Sequence, residues 1–121
     1  MAARRMEILN VLVVEDDADL RFLIGDIFRD VGCSVRDAEH GQHALDMLEG
    51  WRPDVIVLDV AMPVMDGFTF LAQKRQVPDL TDIPVVVVSA TARGPIAGVE
   101  YVLAKPVDAN QLLLAVKQLA A

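Results

Sequence analysis

Polar side chains follow four short apolar runs of this chain, at the point where each run stops. Three acids at 15–17 follow the first run, and Asp59, Ser89 and Lys105 each end or follow a later one. In open α/β sheets, ligands bind beyond the carboxyl ends of the strands. If the runs are parallel strands, these side chains converge on one rim of one sheet.

The convergent groups predict phosphoryl chemistry. Carboxylates held together repel one another, and oxygen ligands from one or two of them, with water, are what Mg²⁺ accepts. An aspartate beside such an ion can attack phosphorus and form an acyl phosphate. A metal, a lysine and a hydroxyl then stabilise the negative oxygens of the transferred group. Asp59, Asp16, Lys105 and Ser89 supply that set.

Alternating strands and helices are predicted to position these groups. The runs 11–14, 55–58 and 85–88 are valine-rich and lack polar alternation, which is typical of strands covered on both faces. The more polar run 34–38 is predicted at an edge, and 101–104 is a fifth strand. Together with the intervening helices, this order predicts a three-layer α/β domain.

Four helices are predicted between and after the strands. Asp17 caps the first, which Gly32 stops; the second covers about Gly41 to Leu48, the third follows Gly67, and the last begins at Asp108. The first helix is expected to bury one apolar face, formed by Leu20, Leu23, Ile24, Ile27, Phe28 and Val31. The third helix is expected to bury Phe68 and Leu71.

Composition bounds the functional class. The chain has 121 residues, 54% of them hydrophobic, which fits one packed domain over residues 1–121 without a separate output domain. A net charge of −7 argues against nonspecific binding to nucleic acid or anionic membranes. The single cysteine, Cys33, and the absence of a long apolar run predict a cytoplasmic protein.

The motifs resemble a known family. The segments VLVVEDD (11–17), PDVIVLDVAMPVMDGF (53–68), PVVVVSA (84–90) and AKP (104–106) are similar to the receiver domain of bacterial two-component response regulators. The resemblance covers nearly the whole chain. It implies a flavodoxin-like three-layer sandwich with a five-stranded parallel sheet of order 2-1-3-4-5.

The resemblance also implies a role for each residue of the acidic site. Asp59 corresponds to the phosphoacceptor, and Asp16 to the metal-ligating acid. Glu15 corresponds to the partner acid that holds the metal through water. Ala61 would offer its backbone carbonyl to the metal. The implied cofactor is therefore Mg²⁺.

Two further positions complete the implied machinery. Ser89 corresponds to the switch hydroxyl, which turns toward a phosphoryl oxygen. Lys105 corresponds to the lysine that pairs with the phosphoryl group, and its bond to Pro106 is typically cis in the family. The phosphoryl donor would be the phosphohistidine of a histidine kinase or phosphotransfer protein. Such a domain catalyses its own aspartyl phosphorylation without being a turnover enzyme.

The sequence departs from the family pattern after Ser89. Lys105 follows after 105 − 89 = 16 residues, several fewer than is usual, and Gly94, Pro95 and Gly98 oppose a long helix. The fourth family helix is therefore expected to be about a turn or a loop. The family's aromatic switch position, three residues before the lysine, is Val102 here, and Tyr101 should face the opposite side of the sheet.

The composition of the C-terminal third suggests which surface of the domain binds other proteins. Residues 1–82 hold 16 acids and 8 bases, whereas residues 83–121 hold 2 acids and 3 bases and are largely aliphatic. On the last helix, Leu112 faces the core direction and Leu114 points about 200° away from it. We expect an apolar side, formed by the last two strands and the last helix, to meet a downstream protein or a second copy of the chain.

Two other functions share these residues. A haloacid-dehalogenase-like phosphatase also uses an aspartate nucleophile, Mg²⁺, a hydroxyl and a lysine, but needs a second aspartate two residues later, where this chain has Ala61. The main alternative is a receiver-like module that binds or dimerises without phosphorylation. The intact acidic set favours the phosphoacceptor.

Overall fold

The computed structural model describes residues 9–62, 64–92 and 94–120. Strands and helices alternate along the chain for most of its length. Their bounds are β1 Asn10–Val14, α1 Ala18–Arg29, β2 Ser34–Ala38, α2 Gly41–Met47, β3 Val55–Leu58, α3 Gly67–Arg75, a single 3-10 turn Pro78–Leu80, β4 Val85–Ser89, β5 Tyr101–Ala104 and α4 Ala109–Ala120.

The five strands form one parallel sheet. Its order is β2-β1-β3-β4-β5, with Val13 opposite Asp37 and Val57, and Ser89 opposite Ala104. The polar strand 34–38 lies at an edge, as predicted. This order confirms the α/β, flavodoxin-like architecture, and it places the carboxyl ends of β1 and β3 side by side.

Helices cover both faces of the sheet, which explains the continuous apolar strands. On one face, α1 and α4 pack on alternate strand residues through Ile24, Phe28, Leu112 and Val116, each at most 1% exposed. On the other face, α2 and α3 pack through Ala44, Phe70 and Leu71. Because neighbouring strand residues point to opposite faces, the valine runs supply both cores.

The predicted helix starts are confirmed by their caps. Oδ1 of Asp17 accepts a hydrogen bond from the Leu20 amide at 3.0 Å, and Oδ1 of Asp108 accepts one from the Gln111 amide at 3.0 Å. Gly32 has φ 94°, the left-handed conformation expected after α1.

Three side chains predicted to face inward are exposed. Leu23 is 53% exposed and Phe68 is 52% exposed, so the buried directions are set by Ile24 and by Phe70 instead. Each residue advances a helix by about 100°, so a neighbour of an inward residue can point outward. Val31, 36% exposed, lies beyond the end of α1 and takes no part in its apolar face.

The connection from β4 to β5 confirms the predicted loss of the fourth family helix. Its described residues, 90–92 and 94–100, form bends and turns without a helix. Gly94 and Gly98 have φ 73° and 80°, values that interrupt a right-handed helix. The connection closes with the Glu100 amide donating to the Val85 carbonyl at 3.0 Å, which starts the pairing of β4 with β5.

Tyr101 and Val102 face opposite sides of the sheet, as their adjacency predicted. Val102 packs against the core under α2 and α3, and Tyr101 against the core under α1 and α4. The Tyr101 hydroxyl donates to Oε1 of Gln118 at 2.6 Å. Tyr101 therefore ties β5 to α4 and does not lie on the side that an aromatic at position 102 would occupy.

Candidate functional site

Three carboxylates meet at the carboxyl rim of β1 and β3. Each of Glu15 and Asp59 is the first residue after its strand, and Asp16 follows Glu15. One oxygen from each of the three lies within 4.8 Å of the others. Glu15 is 2% exposed and Asp59 5%, while Asp16 is open to solvent. The predicted acidic site is thus present as a half-buried cluster.

Lys105 supplies the positive charge of this cluster. Its Nζ lies 3.1 Å from Oε1 of Glu15 and 3.6 Å from Oδ2 of Asp59. Its backbone amide donates to the Ser89 carbonyl at 2.9 Å, which fixes it at the end of β5. The Lys105–Pro106 peptide bond is cis, as the resemblance implied.

Burial and charge perturb both members of the Glu15–Lys105 pair. Burial raises the pKa of Glu15 to about 7, and the charge of Asp59 adds to this, while the Asp17 amide and Lys105 oppose it. Burial tends to lower the pKa of Lys105, but the carboxylates of Glu15 and Asp59 outweigh it and hold that pKa above its usual value. Lys105 is therefore a permanent cation at the rim.

One oxygen of Glu15 has no aligned hydrogen bond. Oε2 accepts from the Asp17 amide at 3.2 Å, but Oε1 is buried and meets Lys105 only as an ion pair. Buried acceptors normally have hydrogen-bond partners, so this atom marks a place for another positive group or a water bound to one. A set of carboxylate oxygens around such a position fits Mg²⁺.

Ser89 reaches the rim but bonds to the loop that follows it. Its Oγ accepts hydrogen bonds from the amides of Thr91 at 3.1 Å and Ala92 at 2.9 Å. These bonds occupy both acceptor positions of the hydroxyl and leave its proton for a further acceptor. Within the part of the chain that the structure describes, no hydrogen bond joins Ser89 to the three carboxylates.

The turn after β3 orients Asp59. Oδ1 of Asp59 accepts from the Ala61 amide at 3.2 Å. A Cβ at Gly67 would lie 2.6 Å from Cα of Val60 and 2.8 Å from the Asp59 carbonyl oxygen, so only glycine allows α3 to start this close to the site. Asp66 caps α3 by accepting from the Thr69 amide at 2.9 Å.

Arg21 also supports the site, a role that the sequence did not predict. From α1, its Nη1 donates to the backbone carbonyls of Glu15 at 2.9 Å and Asp16 at 3.4 Å, and its Nε lies 3.9 Å from a carboxylate oxygen of Asp37. The side chain therefore braces the peptide that carries two of the acids. In the sequence, Arg21 cannot be distinguished from an ordinary surface arginine in the first turns of a helix, so its position gives no specific sign of this role.

Comparison with known proteins agrees with the fold and the motifs. The family profile described as "Response regulator receiver domain" matches residues 11–117. An uncharacterized 14.6 kDa protein of Leptolyngbya boryana is 36% identical over 116 residues, which cover 91% of this chain and 88% of that protein. The Regulator of RpoS of Escherichia coli is 40% identical over 109 residues, 84% of this chain but 32% of that protein.

A solved structure gives the same result in three dimensions. The chemotaxis protein CheY4 of Vibrio cholerae superposes with a TM-score of 0.86 at 29% identity, covering 93% of this chain and 98% of that one. Among the described residues, no helix is long and apolar enough to cross a membrane. The match along residues 11–117, together with the sheet order and the acidic rim, shows that this chain belongs to the response regulator receiver domain family, the signalling domain of two-component systems.

Proposed function

We propose that this receiver domain accepts a phosphoryl group on Asp59 in a Mg²⁺-dependent step and then changes its contacts with other proteins. The observation that carries the proposal is the juxtaposition at the rim: three carboxylates within 4.8 Å and the Lys105 ammonium 3.6 Å from Oδ2 of Asp59. A nucleophile, a cation site and a second positive charge are the groups that phosphoryl transfer needs.

The metal would be held by this chain's own oxygens. Asp16 and Asp59 would bind it directly, the Ala61 carbonyl would complete the protein ligands, and Glu15 would hold it through water. When bound, Mg²⁺ would neutralise the charge that builds on the phosphoryl oxygens. Asp16 is exposed and free to turn toward the ion, whereas Asp59 is fixed by the Ala61 amide.

The reaction itself is carried by Asp59. A carboxylate oxygen of Asp59 forms a bond to phosphorus while the bond from phosphorus to the donor imidazole nitrogen breaks. The electron pair of that bond leaves with the imidazole. The Lys105 ammonium pairs with one phosphoryl oxygen, and the Ser89 hydroxyl donates a hydrogen bond to a second phosphoryl oxygen. The product is an acyl phosphate on Asp59.

The donor would dock beside the cleft. Phe22 in the first two turns of α1 is 64% exposed, and Phe68 in the first turn of α3 is 52% exposed. Val64, 81% exposed, lies in the turn between β3 and α3. Both helices begin at the carboxyl rim that holds Asp59, so a donor that approaches this rim would meet these apolar side chains. A kinase or phosphotransfer protein presenting a phosphohistidine would cover them.

The output surface would be the side formed by β4, β5 and α4. Leu114 is 56% exposed there, and Tyr101, Val102 and Leu103 are half-buried at the edge of the sheet. The connection that Ser89 holds runs along the same side. Drawing the Ser89 hydroxyl toward a phosphoryl group would alter this connection and so the surface offered to a downstream protein or a second copy.

Phosphoramidate, a small phosphoryl donor with a phosphorus–nitrogen bond, tests the proposal. Incubation with Mg²⁺, read by intact mass, should add one phosphoryl group to the unaltered chain and to the control Asp46→Asn, an exposed aspartate of α2. The variant Asp59→Asn, and the unaltered chain in excess EDTA, should gain none. An unmodified chain under all conditions would instead support a binding module that works without phosphorylation.

A further inference from the structure

A cavity with a largely apolar lining and two cationic residues lies at the opposite end of the sheet from Asp59. It has a volume of about 320 Å³ and is lined by Leu71, Lys74, Arg75, Thr81 and Gly98. Arg75 ends α3, Thr81 precedes β4, and Gly98 precedes β5. The amino ends of β4 and β5 therefore border the cavity, and neither the acidic rim nor its metal site contributes to it.

Lys74 is buried with few partners. It is 4% exposed, and within the described residues its ammonium makes one hydrogen bond, to the Thr81 carbonyl at the long distance of 3.4 Å. An ammonium has three donors, and burying a charge is unfavourable unless it is paired. Burial lowers the pKa of Lys74, although nearby carboxylates oppose the shift. Two of its three donors therefore have no acceptor among the residues that the structure describes.

The carboxylates near Lys74 are already engaged elsewhere. Oε1 of Glu100 accepts from the Val85 amide at 2.8 Å, and Oδ1 of Asp82 lies 2.7 Å from Nη2 of Arg52. Among the described residues, neither forms an ion pair with Lys74 within 4.0 Å. The local acids thus moderate the charge of Lys74 without filling its donor positions.

Arg75 adds a second cation on the same cavity. Its Nη1 donates to the Ala97 carbonyl at 3.5 Å, the outer limit of a hydrogen bond. The other N–H groups of the guanidinium have no acceptor within ranges 9–62, 64–92 and 94–120. A Cβ at Gly98 would lie 3.4 Å from this Nη1. The φ of 80° at Gly98 favours glycine at this position, and the residue borders the guanidinium.

We propose that this cavity binds a small oxyanion-bearing ligand, with the anionic group held between the ammonium of Lys74 and the guanidinium of Arg75. The planar guanidinium supplies paired donors to a phosphate or carboxylate, and the ammonium supplies a desolvated charge. Leu71 gives an apolar wall for the rest of a small molecule. The volume exceeds that of a phosphate ion and excludes a macromolecule. The proposal does not depend on phosphorylation of Asp59.

Inorganic phosphate and acetate are the probes. In each titration, at constant ionic strength set with chloride and without Mg²⁺, amide chemical shifts of Thr81, Arg75 and Gly98 should move and saturate. Lys74→Met and Arg75→Gln should each weaken the saturable binding about tenfold, the loss of one charge-assisted hydrogen bond. Lys117→Gln, an exposed lysine of α4, is the matched control and should leave it unchanged.

The two probes separate the possible ligands. Tighter binding of phosphate would assign the site to phosphorylated molecules, and equal binding of acetate to carboxylates in general. Shifts that rise linearly without saturation, that centre on the Asp59 rim, or that persist in both variants would overturn the proposal. Arg75 is exposed, so we expect Arg75→Gln to fold. This variant therefore tests anion binding even if Lys74→Met fails to fold. The phosphoramidate reaction is independent of either outcome.

Discussion

The ammonium of Lys105 lies closer to Glu15, at 3.1 Å, than to Asp59, at 3.6 Å. In this arrangement Lys105 balances the more deeply buried carboxylate, and Asp59 is held mainly by the Ala61 amide. A cation bound among the acids would neutralise the negative charge of Glu15 in place of the Lys105 ammonium. Lys105 would then be free to pair with a phosphoryl group on Asp59, so metal binding and the positioning of Lys105 are linked.

The Mg²⁺ affinity should depend on Asp16. We expect Asp16→Asn to weaken Mg²⁺ binding by at least about tenfold, because even residues that only support a metal ligand contribute that much. Asp16 is exposed, so the free energy of unfolding without metal should change by less than about 0.5 kcal/mol. Titration calorimetry with Mg²⁺ measures the affinity, and Asp19→Asn, another exposed acid of the same loop and helix start, is the control. Equal affinity in both variants would remove Asp16 from the site.

The stability of the metal-free chain should fall with pH because of Glu15. Its pKa is raised from 4.5 to about 7 in the folded state. Between these values the folded chain holds a proton that the unfolded chain has released. The contribution of this group is therefore fully present below about pH 4.5 and is lost as the pH rises through about 7.

Glu15→Gln should remove that part of the pH dependence. Urea unfolding across the same range, without Mg²⁺, should show the variant gaining stability relative to the unaltered chain as the pH rises. Glu39→Gln, an exposed glutamate after β2, should follow the unaltered chain. A stability difference between Glu15→Gln and the unaltered chain that stays constant with pH would show that Glu15 does not titrate in this way.

Lys105 should matter for rate more than for folding. Lys105→Met removes the positive charge nearest Asp59, and the rate of phosphoramidate labelling should drop about 100-fold, as when one donor to a developing anion is lost. Without this ammonium, the Glu15 carboxylate would take up a proton, which limits the loss of stability. The time course of the mass gain gives the rate, with Lys117→Met as the control. A labelling rate equal to that of the unaltered chain would contradict this role.

The close approach of α3 to the site makes Gly67 essential. In Gly67→Ala, the new methyl group would meet backbone atoms of Val60 and Asp59 at 2.6 and 2.8 Å, and neither can move without shifting the site. We expect a loss of about 1–3 kcal/mol in the free energy of unfolding and slower labelling of Asp59. Gly50→Ala is the matched control, because no atom lies within 4 Å of its added methyl. Denaturant unfolding compares the two; equal stability would show that the turn adapts.

Much of the fold follows from the sequence because its signals are local. Valine runs without polar alternation require cover on both faces, and the structure gives each of them that cover. The acids of the rim were predictable because the end of a parallel strand fixes where the next residue lies. The shortened connection followed from 16 residues that include Gly94, Pro95 and Gly98.

Other features depend on contacts between distant residues. Lys74 is like any lysine near a helix end until α3 packs over the 3-10 turn and buries it. Lys105 lies nearer to Glu15 than to Asp59 because of how β1, β3 and β5, which these residues follow, are arranged relative to one another. The amides that bind Ser89 belong to a loop whose path is set by its two glycines. Such tertiary contacts leave no periodic pattern in the sequence.

A crystal structure of the chain with Mg²⁺ and beryllofluoride, a mimic of the phosphoryl group, tests the central claim most directly. We expect beryllium bonded to a carboxylate oxygen of Asp59, Mg²⁺ beside Asp16, and Nζ of Lys105 in contact with a fluorine. An empty cleft, or an Asp59 side chain turned away from the other two acids, would contradict it.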